Sequence, residues 1–466
     1  MTASVTTATW WRERLAGAWA KRELRWLAVI LALATAVRLA WVIYAAREPQ
    51  ELHDPFFYVF YAAQIANGDG YRLLDGQPTA YYPIGYPATL AGVYALLKHT
   101  LLPEEYVKAY AALNLVLGVA TVGLVYAVGR RLFDATVGLV AAFLLAVFPN
   151  IVFHTATPLT ETLFNFVVML ALLVLIGPDW RERRLSPWRV VVFGLLLGYS
   201  VLIRPVSLPF LGLLLIVMLA WGFGCRRALQ YTAVATVATV AVIVPWTVRN
   251  AIVMDAFVPI STNTGDNLCM GHHAGAPGHF VLPDVCFAGF EDLERPEFEL
   301  RREARNRDVA VEFAREHPVT EVKLFLKKAR WTWDHDHDGL DAVESYNDDR
   351  FMDRDLRAVL LHIADGYFFI VMAIGGVGLA GLVWPWWEPR RVFFLLALLW
   401  LAGVPLFFFG DARFHIPTVP LVCVTAAWAI VMGVRTLAGR SAASTVVVEL
   451  PDAKAPVPDQ DALQDT

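Results

Sequence analysis

Five charged side chains stand where a mostly apolar chain has little reason to keep them. Asp54 lies in His53-Asp54-Pro55, just beyond the first long apolar run, and Glu161, Arg204, Arg249 and Arg413 lie at the ends of later runs. A carboxylate held beside hydrocarbon is costly and marks a functional group by default. It can accept the proton of a hydroxyl. Guanidinium groups grip phosphate oxygens in pairs and stabilise negative charge that builds up on them. Plainer readings stand beside these. Asp54 before Pro55 also suits the N-cap of a helix, and an arginine at a helix end can simply reach for lipid head groups.

The elements that would carry these groups are membrane helices. Of the 466 residues 57% are hydrophobic and 18% charged, and the apolar ones are gathered into runs. Runs long enough to cross about 30 Å of hydrocarbon fall at about 26–46, 107–128, 135–153, 159–177, 188–203, 205–222, 229–248, 360–384, 391–410 and 414–436. The net charge of −4 conceals a segregation of sign, and no basic tract resembles a nucleic-acid motif. Arg12, Arg14, Lys21, Arg22 and Arg25, then Arg130-Arg131, Arg181 to Arg189, Arg226-Arg227, Arg390-Arg391, Arg435 and Arg440 fall on one side if there are ten spans. By the excess of Lys and Arg in cytoplasmic loops that side is cytoplasmic. The shorter apolar stretch at about 83–101 then lies in the plane or re-enters, because a crossing there would turn every later basic loop outward. The predicted fold is an all-α polytopic bundle of about ten helices with an in-plane or re-entrant helix in its first external loop.

The expected organisation has a basic arm at 1–25, a transmembrane module at 26–249 with an external loop at 47–106, and an extracytoplasmic loop domain at 250–358. Further helices at 359–436 and a disordered cytoplasmic tail at 437–466 follow. The first loop opens with a helical stretch from Asp54 to about Asn67, broken by Gly68-Asp69-Gly70, and continues through aromatic-rich Tyr81-Tyr82-Pro83. Residues 291–330 read as amphipathic helices most of whose charges form a solvated face. Cys225 and Cys423 read as inert small hydrophobes, whereas Cys269 and Cys286 share the loop domain, where an oxidising compartment permits a bond that the sequence leaves open. Alternation could place His335 and His337 on one side for a metal, but no metal-ligand spacing is met and a solvated polar loop is preferred.

Arg38 in the first span, His53-Asp54, Asn67-Gly68-Asp69-Gly70-Tyr71 and Tyr81-Tyr82-Pro83-Ile84-Gly85-Tyr86-Pro87 resemble the start of the GT-C glycosyltransferases. Leu159-Thr160-Glu161, Ile203-Arg204-Pro205, Pro245 to Asn250 with Phe257 to Asn263, and Arg413-Phe414-His415-Ile416-Pro417 continue the likeness in order. The nearest group is the bacterial relatives of protein O-mannosyltransferases and lipid A aminoarabinose transferases. The resemblance implies a carboxylate acting at the acceptor, at Asp54, and a second acidic position after the third span, at Glu161. Two departures stand out: Tyr82-Pro83-Ile84 replaces the Lys-Pro-Pro of the aminoarabinose transferases, and the large external C-terminal domain of some members is absent.

By that resemblance the chain moves a sugar from a polyprenyl-phosphate donor to a hydroxyl acceptor on the extracytoplasmic face of the cell membrane, with inversion. Asp54 would be the base. His53, Tyr82, Glu161 and His272, the last in a Gly-rich loop that acts as a lid or acceptor contact, would position donor or acceptor. Arg204, Arg249 and Arg413 would bind the donor phosphate. The resemblance assigns no definite cofactor beside the lipid-linked co-substrate, and a divalent metal ion is left open. The rival reading is a transporter or flippase for a polyprenyl-linked sugar or lipid, but such folds commonly show paired halves with broken helices at the midplane. This chain has no evident halves, and its charges gather at the rim.

Overall fold

The computed structural model describes residues 4–97, 106–290, 292–383 and 388–445. Among them are helices α1 (Ser4–Ala45), α2 (Asp54–Asn67), α3 (Gly85–Leu97), α4 (Tyr106–Leu132), α5 (Ala135–Ala146), α6 (Pro149–Phe153), α7 (Thr160–Leu175), α8 (Pro187–Ile203), α9 (Phe210–Ala220) and α10 (Cys225–Met254). Then come α11 (Thr264–Gly271), α12 (Asp284–Phe287), α13 (Glu297–Glu316), α14 (Pro318–Trp333), α15 (Asp338–Val343), α16 (Arg354–Gly378), α17 (Ala380–Val383), α18 (Pro389–Gly403) and α19 (Val419–Thr445). No strand occurs among the described residues.

Each of the ten apolar runs is helical, and the protein is a multi-pass membrane protein. Six segments are long and apolar enough to cross alone: Lys21–Ala45, Tyr106–Leu132, Cys225–Met254, Arg354–Val383, Pro389–Phe407 and Ala412–Gly439. The helices α5 and α6 make one bent unit with an angle of 62°, while Thr160–Leu175, Pro187–Ile203 and Pro205–Ala220 are shorter apolar helices. With 13 residues, the described helix α3 is about 20 Å long, shorter than the hydrocarbon is thick. It packs on α2, α4 and α8, approaching α8 so closely that a Cβ at Gly85 would stand 2.7 Å from the Leu202 carbonyl.

The bend has an identifiable cause. Pro149 cannot donate to the helical ladder, so the Leu145 carbonyl four residues before it keeps only a 3.4 Å bond from Phe148 N and needs further donors. The buried Arg38 guanidinium supplies them, donating from Nη1 to Ala146 O at 2.8 Å and from Nη2 to Leu145 O at 3.2 Å. An arginine inside an apolar helix thus finds oxygen acceptors within the protein, as hydrocarbon requires.

The basic loops meet at one end of the bundle. Arg391 donates to Leu132 O at 3.1 Å, Arg435 pairs with Asp134 at 2.8 Å, Arg227 donates to Arg183 O at 3.1 Å, and Arg181 reaches Glu388 at 3.4 Å. This is the clustering that ten spans require. Two expectations change: α1 begins at Ser4, well before the first apolar run, and α19 continues to Thr445, past the expected start of the tail. The remainder of that tail lies outside the described residues.

At the other end, α11 to α15 close over the first loop. Glu299 of α13, expected on a solvated face, is buried and accepts from Thr79 Oγ1 and Ala80 N, each at 2.9 Å, from Thr262, and from Arg295 at 2.7 Å. Asp266 of α11, also buried, accepts from Tyr81 Oη at 2.9 Å and Asn306 Nδ2 at 2.7 Å and pairs with Arg302 at 2.9 Å. These buried carboxylates fasten 79–81 beneath the helices. The sulfurs of Cys269 and Cys286 are bonded, with Cα atoms 6.0 Å apart, which ties α11 to α12.

Candidate active site

Local sequence delivers four charged groups to this loop-rich end. Asp54 is the first residue of α2, with Pro55 beside it and His53 at the N-cap. The capping reading therefore fails in detail: the cap position is His53, which makes no side-chain cap bond, and the Asp54 carboxylate points elsewhere. Glu161 lies in the first turn of α7, where the helix dipole favours a carboxylate. Arg204 ends α8 because Pro205 forces the preceding residue into extended backbone, here φ −145° and ψ 117°. Arg413 sits in a 3-10 turn spanning Ala412–Thr418, capped by Asp411, whose carboxylate accepts from Arg413 N at 2.9 Å.

The four form one alternating array. Arg413 Nη1 donates to Asp54 Oδ2 at 2.6 Å while its Nε donates to Glu161, so one guanidinium joins both carboxylates. Arg204 Nη2 donates to the same Glu161 oxygen, and its Nε donates to Thr160 Oγ1 at 2.9 Å. Tyr82 Oη donates to Asp54 Oδ1 at 2.7 Å. Glu161 is buried and Asp54 partly exposed. The array is neutral in sum, with two acids and two bases. Nη2 of Arg413 and Nη1 of Arg204 donate to no protein group among the described residues.

The other predicted residues lie apart from this array. Arg249 donates to Tyr71 O and Thr79 O, both at 2.6 Å, and its guanidinium stands 4.8 Å from the Trp246 ring centre. It clasps the first loop onto α10. His53 pairs with Asp348 at 2.7 Å. His272 lies between Lys328 Nζ, 2.9 Å from its Nε2, and Glu321, 2.9 Å from its Nδ1, at the start of the Gly-rich loop. Burial lowers the Lys328 pKa to about 8. Among the described residues no group of three or more His, Cys, Asp or Glu side chains is placed to hold a metal ion. His335 and His337 instead bond Asp334 and Asp365, at 2.6 and 3.0 Å.

Sequence reasoning missed a second buried polar cluster beside the first. Asp336 Oδ1 accepts from Asn150 Nδ2 at 2.6 Å and lies 2.8 Å from His415 Nε2, while His415 Nδ1 meets Thr332 O at 2.6 Å. Thr332 O can only accept, so Nδ1 carries a proton, and the Asp336 to His415 contact must hold one more. Burial raises the Asp336 carboxyl pKa. Asp338 is raised well above the ordinary range by burial, with Asp411 adding to it. His154 is buried with neither ring nitrogen hydrogen-bonded, 3.6 Å from Asp338. Its only signal was a histidine inside an apolar run.

Comparison with known proteins gives a consistent outcome. The profile of the family described as Dolichyl-phosphate-mannose-protein mannosyltransferase matches residues 88–248. No curated protein sequence matches significantly. Among solved structures, the oligosaccharyltransferase AglB from Archaeoglobus fulgidus, in complex with an inhibitory peptide and a dolichol-phosphate, aligns with a TM-score of 0.50 at 15% identity over 91% of this chain and 52% of that one. The same enzyme tethered to an acceptor peptide aligns with a TM-score of 0.52 at 15% identity over 90% and 51%. ArnT from Cupriavidus metallidurans bound to undecaprenyl phosphate aligns with a TM-score of 0.43 at 15% identity over 90% and 80%. The chain spans about half the length of the archaeal enzyme.

Proposed function

We propose that this chain, whose fold is that of the GT-C glycosyltransferases, moves a sugar from a polyprenyl-phosphate donor to a hydroxyl acceptor on the extracytoplasmic face of the membrane. The observation that carries the reading is Arg413, which joins Asp54 to Glu161 and, like Arg204 on the same Glu161 oxygen, leaves one terminal nitrogen without a protein acceptor among the described residues. The family match over residues 88–248 and the dolichol-phosphate bound to the archaeal neighbour support a phosphate at those nitrogens.

In this mechanism Tyr82 and Arg413 fix the orientation of the Asp54 carboxylate, and a remaining lone pair accepts the acceptor's hydroxyl proton. The freed oxygen bonds to the anomeric carbon as the bond from that carbon to the phosphate oxygen breaks. The electron pair leaves on the polyprenyl phosphate, whose charge is met by Arg413 and Arg204. Glu161 holds both guanidinium groups in place and neutralises them until the donor arrives. One displacement with one base inverts the anomeric centre. Arg249, committed to backbone carbonyls, supports the first loop in this scheme and does not touch phosphate.

A transporter would need the charges without the base. Replacing Asp54 by Asn is therefore the deciding experiment: transfer of radiolabelled sugar from a panel of polyprenyl-phosphate hexoses and pentoses should vanish while donor-lipid binding persists. Turnover in Asp54→Asn within a few-fold of the unmodified protein would remove Asp54 from the chemistry.

A further inference from the structure

The two long helices of the loop domain differ sharply on their outer faces. Those of α13 are what a solvated helix carries: Arg301, Arg307, Asp308, Glu312, Arg315 and Glu316 are exposed, with both signs mixed. On α14 the exposed face is apolar and basic. Val319, Val322 and Leu326, at i, i+3 and i+7, are 71%, 63% and 65% exposed, and Phe325 beside them is 49% exposed. Lys323, Lys327 and Arg330 form the adjoining exposed stripe. The one acid of α14, Glu321, turns inward to His272 at 2.9 Å.

A helix with large aliphatic and aromatic residues in water, flanked only by cations, has the composition of an interfacial helix. Its position agrees. It packs on Val404–Phe407, the turn that ends the membrane span Pro389–Phe407. Phe407 is itself exposed, and its carbonyl lies 3.0 Å from His272 Nε2, which in turn contacts Lys328 of α14 at 2.9 Å. The buried face of α14 is thus anchored at the end of that span, at the rim of the bundle, and its apolar and basic face is left uncovered beside it.

We infer that α14 is a monotopic element whose Val319, Val322 and Leu326 face enters the outer leaflet, with Lys323, Lys327 and Arg330 on anionic phospholipid head groups. This inference rests on the membrane bundle and not on the catalytic reading, so either can fail alone. Juxtamembrane cations gain roughly 1 kcal/mol each from an anionic surface, so the contact should strengthen with anionic lipid.

The test uses the full chain in nanodiscs, with Cys225→Ser to remove the exposed free thiol. Val322→Cys, with Leu326→Cys as a second choice of site, carries an environment-sensitive fluorophore. Glu312→Cys on α13 is the solvated reference. At 322 or 326 lipids bearing a shallow spin label should quench emission by at least about two-fold, and aqueous iodide should quench less than at 312. Phosphatidylglycerol should deepen the quenching, and the triple variant Lys323→Glu, Lys327→Glu, Arg330→Glu should abolish that dependence. Iodide quenching equal to that at 312 overturns the inference in favour of a solvated face. Protection from both quenchers overturns it in favour of a protein partner. Lipid quenching indifferent to phosphatidylglycerol overturns the head-group assignment.

Discussion

Replacing Arg413 by lysine keeps the charge and removes the fork. The guanidinium spans two carboxylates, with Nη1 2.6 Å from Asp54 Oδ2 and Nε on Glu161. A single ammonium on a flexible stem cannot hold both in that geometry. At least one charge-assisted hydrogen bond is lost, worth about 1.5–3 kcal/mol. Removing the side chain altogether leaves the buried Glu161 with Arg204 as its one arginine and costs about 3–5 kcal/mol. With roughly 1.4 kcal/mol per factor of ten, Arg413→Lys should turn over about 10- to 100-fold more slowly and Arg413→Ala about 100- to 4,000-fold more slowly. The assay is single-turnover sugar transfer in detergent with donor binding measured in parallel, and size-exclusion profiles guard against misfolding. If folded Arg413→Lys works within about three-fold of the unmodified protein, the array is a structural ion network and the proposed role of Arg413 is wrong.

Three further outcomes are expected. With Cys225 replaced by Ser, Glu182→Cys should resist an impermeant thiol reagent in intact cells and react after permeabilisation; labelling from outside would reverse the bundle. Asp338→Asn should raise the melting temperature at neutral pH. The folded protein holds this carboxyl protonated above its unfolded pKa of roughly 3.9, so the wild type carries a penalty that grows as pH rises through the window above that value and disappears below it. The stabilisation by Asn should shrink correspondingly as pH falls, and a pH-independent difference in scanning fluorimetry would refute the burial argument. Joint replacement of Cys269 and Cys286 by Ser should destabilise the loop domain by roughly 3 kcal/mol, the loop-closure value for a 17-residue separation. Limited proteolysis with and without reductant measures it, and equal cleavage of oxidised and reduced protein would count against any constraint.

Hydropathy made the bundle legible because a helix in lipid must be apolar over its whole length, and the sign of the loop charges fixed the number of spans through a single parity argument. Asp54, Glu161, Arg204 and Arg413 were visible for a related reason: charge beside hydrocarbon stands out. Arg249 had the same appearance and a different use. Whether an arginine at a helix end meets carboxylates or backbone carbonyls depends on how the 71–82 loop folds back, and that is a long-range fact. Glu299 looked like an ordinary member of a charged stretch, since burial of one carboxylate on an otherwise solvated helix leaves no trace in periodicity. The apolar outer stripe of α14 was present in the sequence but indistinguishable from a core-facing stripe until Leu324, Lys328 and Thr332 proved to face inward.

The bond between Arg38 and the bend at Pro149 makes two distant features of the chain inseparable. A straightened α5–α6 unit would draw the Leu145 and Ala146 carbonyls away from Arg38 and leave its buried guanidinium with Ala34 O as its one acceptor among the described residues. A chain lacking Arg38 would keep the bend and leave the buried Ala146 carbonyl without its donor and the Leu145 carbonyl with only a 3.4 Å bond from Phe148 N. Each change alone is penalised and both together are tolerable, so drift at either position must pass through the other. The same logic applies in time. The helix α1 precedes α5 and α6 in the chain and carries the group that completes them, and the broken span gains a satisfied interior when it docks on α1.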